Sequence, residues 1–123
     1  MYLEADMAEL QRNLADVFFA YDESELTEAS RESLRQNSDW LQLPYVSAKI
    51  QVQGHCDERG TVEYNQALGE RRARAAYDYL TSLGVPESRL EMVSFGKERP
   101  QCTESEEGCW QQNRRAHFSI TAR

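Results

Sequence analysis

Residues 49–65 read KIQVQGHCDERGTVEYN. The first five alternate polar and apolar side chains, which predicts a strand with one buried face. A helix is predicted to run from about Val62 to Leu83, because Gly84 is a natural C-terminal stop and Pro86 reinforces it. The stretch therefore joins a buried strand to a long helix through a loop. That loop contains the first candidates for function: a histidine, a cysteine, two acids, an arginine and two glycines.

The segments on either side of this stretch supply the remaining predicted elements. Strands are indicated by alternation or by β-branched and aromatic composition, helices by apolar spacing, and Thr27 is a suitable N-cap. The further elements are a short helix within 1–13, a strand at 17–21, a helix at 28–43, a strand at 90–95, a loop at 97–112 and a strand at 117–121. The order β-α-β-α-β, a loop and a final β predicts an α/β (α+β) sandwich with one sheet and two main helices.

Size and charge limit the classes of protein that are possible. The chain has 123 residues, enough for one domain, and 14 basic against 21 acidic side chains give a net charge of −7. Such an acidic chain is repelled by a phosphate backbone, which argues against nucleic acid as a partner. There is no apolar run long enough to span a membrane, and the N-terminus does not resemble a signal peptide. We expect either a cytoplasmic protein or an exported domain whose leader lies outside this sequence.

The three cysteines fall into two groups. Cys102 and Cys109 enclose a short polar segment, which favours a disulfide and an oxidising compartment, with two unpaired thiols as the alternative. Cys56 follows a predicted strand, a position more typical of a small buried residue than of a reactive one.

Catalysis, metal binding and phosphate binding are poorly supported by the loop. His55 and Cys56 are adjacent at a strand end, so their side chains should point to opposite faces and form a poor nucleophile–base pair. His55, Asp57, His117 and the cysteines lack metal-site spacing, and the two glycines fit no phosphate-loop motif. No catalytic residue, metal or cofactor is predicted.

Recognition by fixed charges is the remaining interpretation. At 100° per residue Arg72 falls on the apolar side of the long helix, where a guanidinium needs a partner. That partner is either an internal acid, Asp57 or Asp22, or the carboxylate of a ligand. Asp57 lies just past a strand end, where it could form an Asx-turn or face a ligand. If both face one cleft, they suit a zwitterion: its ammonium on Asp57 and its carboxylate on Arg72.

Four segments together resemble the OmpA C-terminal-like family. They are VFFAYDESELT (17–27), GHCDERGTVEYNQALGERRARAAYDYLTSLGV (54–85), VSFGKERP (93–100) and NRRAHF (113–118). The resemblance implies a βαβαββ fold with one mixed sheet against two main helices. It also implies a peptidoglycan-binding domain over 16–123, preceded by an extension over 1–15 that could form a short helix.

The resemblance further implies a function without catalysis. Members of this family bind peptidoglycan, mainly the diaminopimelate of its stem peptide. The motifs are most similar to the lipoprotein branch, which belongs to the Tol-Pal system and tethers the outer membrane to the cell wall from the periplasm. Peptidoglycan, Tol proteins and, through a lipidated N-terminus absent from this sequence, the outer membrane are therefore the expected partners.

The family's ligand residues map onto matching positions of this sequence. Asp57 and Arg72 are expected to grip diaminopimelate, and alanine at either to abolish wall binding with the fold intact. Tyr21, Asp22, Thr61 and Leu68 are expected beside the ligand. The expected supporting positions are Gly54, His55, Gly60, Tyr64, Asn65, Asn113 and Arg114.

Cys56 departs from the family pattern, which usually has threonine or a small residue there, although the size is compatible. Two other functions stay open. One is the OmpA-like anchoring domain of a stator or porin-type protein. The other is a thiol hydrolase that uses Cys56 and His55.

Overall fold

The computed structural model describes residues 4–44 and 46–122. In chain order, the elements are α1 (Glu4–Asn13), β1 (Val17–Phe18), α2 (Glu28–Leu41), β2 (Lys49–His55), α3 (Val62–Ser82), a 3₁₀ turn (Glu87–Arg89), β3 (Leu90–Gly96), α4 (Glu107–Asn113) and β4 (Arg115–Ala122). Thr27 and Thr61 cap α2 and α3, because each hydroxyl accepts a backbone N–H of the first turn.

The four strands form one mixed sheet in the order β1-β4-β2-β3. β2 and β3 are parallel and are joined through α3, whereas β4 is antiparallel to both β2 and β1. This confirms the predicted fold class: a mixed sheet packed against two main helices. Among the described helices, none combines the length and hydropathy needed to cross a membrane.

The core lies between one face of the sheet and the helices. Alternation in β2 buries Ile50 and Val52, which meet the apolar side of α3 around Ala76 and Leu80. α3 crosses the end of β2 at a pair of glycines, since a Cβ on Gly54 would overlap the backbone carbonyl of Gly69. This close approach places the first turns of α3 directly over the loop that follows β2.

Two predicted segments differ from the structure. The strand expected over 17–21 is paired only at Val17 and Phe18, because the chain then turns through Asp22, which has a φ of 60°. The loop expected over 97–112 contains α4, a helix of seven residues that is too short to show apolar periodicity. The other described boundaries all lie within two residues of prediction; β2 and β4 each reach two residues further than predicted, toward His55 and Arg115.

Helix α1 packs on the same core as the rest of the chain. Leu10 and Leu14 are buried in this core. The Gln11 side-chain amide bonds the backbone of Phe118 and Ile120, on the part of the β4 edge that β1 does not pair with. The division into an extension over 1–15 and a domain over 16–123 stays a prediction. Residues 1–3 of that extension lie outside the described residues.

Candidate functional site

The site is built on the loop of residues 56–61, between the C-terminal end of β2 and the start of α3. Gly60 has a φ of 93°, a left-handed conformation that side chains disfavour, and it leads into the Thr61 cap. The Asn65 amide donates to the carbonyls of Arg59 and Thr61, at 2.6 and 3.0 Å. The Cys56 thiol donates to the Asn65 carbonyl at 3.2 Å. These bonds hold the loop in one shape.

Asp57 is 4% exposed and is surrounded by two arginines. One carboxylate oxygen accepts the backbone N–H of Arg59 at 3.0 Å, which is the Asx-turn, one of the two alternatives predicted for Asp57. The other accepts from Arg59 Nη2 at 2.8 Å and from Arg114 Nη1 at 3.3 Å. Burial opposes ionisation, but the hydrogen bonds of Arg59 and Arg114 outweigh it and lower the pKa of Asp57. The carboxylate is therefore negatively charged at neutral pH.

Arg72 is fully buried and clasps three backbone carbonyls. Its Nε bonds Glu23 at 2.9 Å, Nη1 bonds His55 at 3.0 Å and Nη2 bonds Ala20 at 3.2 Å. The internal ion pair with Asp57 or Asp22, one of the two predicted alternatives, is not how this guanidinium is held. Burial lowers the pKa of Arg72, although arginine keeps its charge in proteins.

Asp57 and Arg72 line one small cavity of about 50 Å³. Tyr21, Asp22 and Leu68, predicted as ligand residues, lie on its wall. Its other lining residues are Cys56, Arg59, Gly60, Tyr64 and Asn65. A larger groove of about 380 Å³ lies between β1 and α2, but neither Asp57 nor Arg72 lines it, so the small cavity is the better candidate.

The remaining predicted residues support the cavity without lining it. Thr61 is the cap of α3 rather than a wall residue, and Gly54 makes the contact with Gly69. His55 contributes its carbonyl to Arg72, while its imidazole lies beside Phe95. Burial lowers the pKa of His55 to about 3, so the imidazole is neutral.

Arg114 and Asn113 brace the site from the segment that carries the disulfide. Arg114 bonds the Phe19 carbonyl, Asp57 and Glu107, while the Asn113 amide bonds the backbone of 101–102. Cys102 and Cys109 form a disulfide, the first of the two alternatives. This segment also packs against the loop, because the Glu58 carboxylate accepts from the Trp110 indole and from Ser105, both at 2.7 Å.

Arg59 is a cavity residue that the sequence prediction missed. Its guanidinium lies 4.0 Å from the ring centroids of both Tyr21 and Trp110 while it bonds Asp57. The available signal was the Asp-x-Arg spacing before Gly60, which brings the two side chains together in a turn. Trp110 could not be placed from the pattern, since it lies on the unpredicted α4.

Cys56 and His55 do not form a nucleophile–base pair. The thiol bonds the Asn65 carbonyl, and the imidazole Nε2 lies 3.0 Å from the Gln53 side-chain oxygen. Burial raises the pKa of the Cys56 thiol to about 11, opposite to the shift that activates a catalytic cysteine.

We expect Cys56 to resist alkylation in the folded protein. A pKa two units above the ordinary value of 9.0 lowers the thiolate fraction at pH 8 about a hundredfold, and burial slows access further. Because the other two cysteines are paired, iodoacetamide uptake followed by mass spectrometry reports Cys56 alone. The control is the urea-unfolded protein with its disulfide intact. If folded protein reacted equally fast, this expectation would be wrong and the thiol-hydrolase alternative would be favoured.

Residues 18–114 match the model of the OmpA family, so the chain belongs to the OmpA family. This confirms the predicted resemblance.

Proteins named peptidoglycan-associated lipoprotein are among its curated relatives. That of Mesorhizobium japonicum is 49% identical over 110 residues, which are 89% of this chain and 65% of the relative. That of Brucella melitensis is 46% identical over 105 residues, which are 85% and 62%. The chain therefore spans somewhat less than two thirds of the length of these relatives.

A solved structure of a peptidoglycan-associated lipoprotein agrees with this family, and a more distant one shares the fold. The peptidoglycan-associated lipoprotein of Burkholderia pseudomallei has a TM-score of 0.81 at 39% identity, over 86% of this chain and 89% of that one. The C-terminal domain of Helicobacter pylori MotB has a TM-score of 0.80 at 18% identity, over 89% and 85%, and shares the fold.

Proposed function

We propose that this domain binds peptidoglycan without altering it, and that its ligand is the diaminopimelate of the stem peptide. The observation that carries the proposal is that a carboxylate, Asp57, and a guanidinium, Arg72, line one cavity at the end of β2. The free end of diaminopimelate has an ammonium and a carboxylate on one carbon. Asp57 takes the ammonium and Arg72 takes the carboxylate.

The charges of the cavity match this ligand. Asp57 is held ionised by its hydrogen bonds, and three of the five N–H groups of Arg72 go to carbonyls, which leaves donors for a carboxylate. The amides of the first turn of α3 also favour a negative group near Gly60. Fixed charges of this kind give selectivity while the ligand stays displaceable.

The relatives named peptidoglycan-associated lipoprotein support a proposal for the cellular role. We propose a periplasmic domain over 16–123, with 1–15 as its extension, that tethers the outer membrane to the cell wall through a lipidated N-terminus and works with Tol proteins. The Cys102–Cys109 disulfide fits an oxidising compartment. Binding, with no bond broken, is the whole activity.

Asp57→Asn is expected to weaken binding to a diaminopimelate muropeptide about a hundredfold. The amide keeps the size and the Asx-turn but removes the charge that an ammonium needs, and losing one side of such a pair costs about 2–5 kcal/mol. Isothermal titration gives the affinity, and retention on purified sacculi gives wall binding. Asp78→Asn, at an exposed position of helix α3 outside the cavity lining, is the matched control and should bind like wild type.

A second ligand separates the two charges of the site. A muropeptide with lysine in place of diaminopimelate keeps the ammonium and lacks the terminal carboxylate, so it should bind weakly to wild type. If wild type bound both muropeptides equally well, Arg72 would not be the residue that binds the ligand carboxylate. Equal binding of wild type and Asp57→Asn would refute the proposed site.

A further inference from the structure

Arg59 occupies the position that the proposed function gives to the ligand. Its Nη2 and Nε lie 2.8 and 3.3 Å from the two Asp57 oxygens, and its guanidinium is stacked between the Tyr21 and Trp110 rings. Glu107 adds a second carboxylate at 3.9 Å from Nη2. Two aromatic faces and two carboxylates make a cation site, and the chain fills it with its own cation.

Asp57 has no acceptor position left while Arg59 is in place. One oxygen accepts the backbone N–H and Nε of Arg59, and the other accepts Nη2 of Arg59 and Nη1 of Arg114. A carboxylate has about four lone-pair sites, so these four bonds saturate it. An incoming ammonium must therefore displace one of the two arginines.

Arg59 is the arginine that can leave. Its side chain is 30% exposed, whereas that of Arg114 is 5% exposed and is tied to the Phe19 carbonyl as well. The walls do not depend on Arg59, since the Trp110 indole bonds Glu58 and the Tyr64 hydroxyl bonds Asp22 beside Tyr21. The cation site should thus stay formed when Arg59 swings out.

We propose that Arg59 is an internal competitor of the ligand ammonium and sets the affinity and selectivity of the site. This inference rests on the proposed function. In the closed state the guanidinium covers Asp57, and a ligand binds only when Arg59 has moved to solvent. The apparent affinity is then reduced by the fraction of closed molecules. A weak monovalent cation cannot displace Arg59, but a ligand that also offers a carboxylate to Arg72 can.

The test is the affinity of Arg59→Ala for the diaminopimelate muropeptide, measured by isothermal titration. We expect binding about three- to tenfold tighter than wild type, because the competitor is gone and the backbone N–H that holds the Asp57 turn remains. Arg59→Gln keeps the length without the charge and should behave alike. Arg99→Ala is the matched control: Arg99 also stacks on an aromatic ring, Phe95 at 3.9 Å, but Phe95 lies outside the cavity lining.

A spectroscopic readout separates competition from a structural role. In wild type, the Arg59 Nε–H resonance should lose the ring-current shift of the two aromatic faces as the muropeptide is added. Tighter binding by the Arg59 variants, or binding by them alone, supports the inference. If wild type binds the muropeptide and both folded variants bind it equally well or more weakly, the inference is wrong. The proposed function then still stands. No binding by any of these proteins overturns both.

Discussion

Gly54→Ala is expected to destabilise the domain by about 3 kcal/mol or more, a large part of the total stability of a small domain. The added Cβ would lie 2.5 Å from the Gly69 carbonyl carbon and overlap its oxygen. These are backbone atoms inside α3, so no rotamer change relieves the overlap and the helix must move off the sheet. Because α3 carries Leu68 and Arg72, this movement would open the cavity as well. Urea unfolding followed by circular dichroism measures the loss.

Gly108→Ala is the matched control for this substitution. Gly108 lies in α4, where a Cβ would meet only the flexible end of Glu106, at 3.2 Å, and alanine favours helix by about 1 kcal/mol over glycine. We expect unchanged or slightly higher stability for this variant. Equal stability of Gly54→Ala and wild type would mean that α3 does not rest on β2 at this point.

The main elements of the fold could be predicted because their signals are local. Alternation marked β2 and the end of β4, and Thr27, Gly84 and Pro86 marked helix ends. The shortening of β1 could not be predicted, since Phe19 and Tyr21 have strand-like side chains and the strand ends because the chain turns through Asp22. Helix α4 depends on contacts with a loop distant in sequence, such as the bond from Trp110 to Glu58.

The site was predictable in its charges but not in their partners. Helical phase predicted that Arg72 points inward, and the position of Asp57 just past β2 predicted that it lies at the C-terminal edge of the sheet. The partners of Arg72 are carbonyls of two distant segments, and backbone acceptors leave no mark on a sequence. Arg59 was missed although its spacing from Asp57 is a local signal, because its stacking on Trp110 comes from a separate segment.

Arg72→Met is expected to destabilise the domain by about 3–5 kcal/mol and to abolish muropeptide binding. Methionine fills much of the space, but the carbonyls of Ala20, Glu23 and His55 lose their donor, and each bond to a charged donor contributes about 1.5–3 kcal/mol. These bonds join the β1–α2 connection to the end of β2, so the substitution also frees the segment that carries Tyr21 and Asp22. The sequence alone led to the expectation that an Arg72 variant keeps its fold; with these three bonds, we expect it to lose stability as well as binding.

Arg71→Met separates this clasp from a general effect of removing positive charge. Arg71 precedes Arg72 on α3 and is exposed, so the same substitution there should leave unfolding and binding nearly unchanged. The affinity of the Arg72 variant is measured in buffer without denaturant. The measured affinity is then corrected for the folded fraction, which circular dichroism gives. If Arg72→Met were as stable as Arg71→Met, water would have to satisfy the three carbonyls. If the folded fraction of Arg72→Met bound with wild-type affinity, the ligand carboxylate would have to rest on another donor, and the first-turn amides of α3 are the nearest alternative.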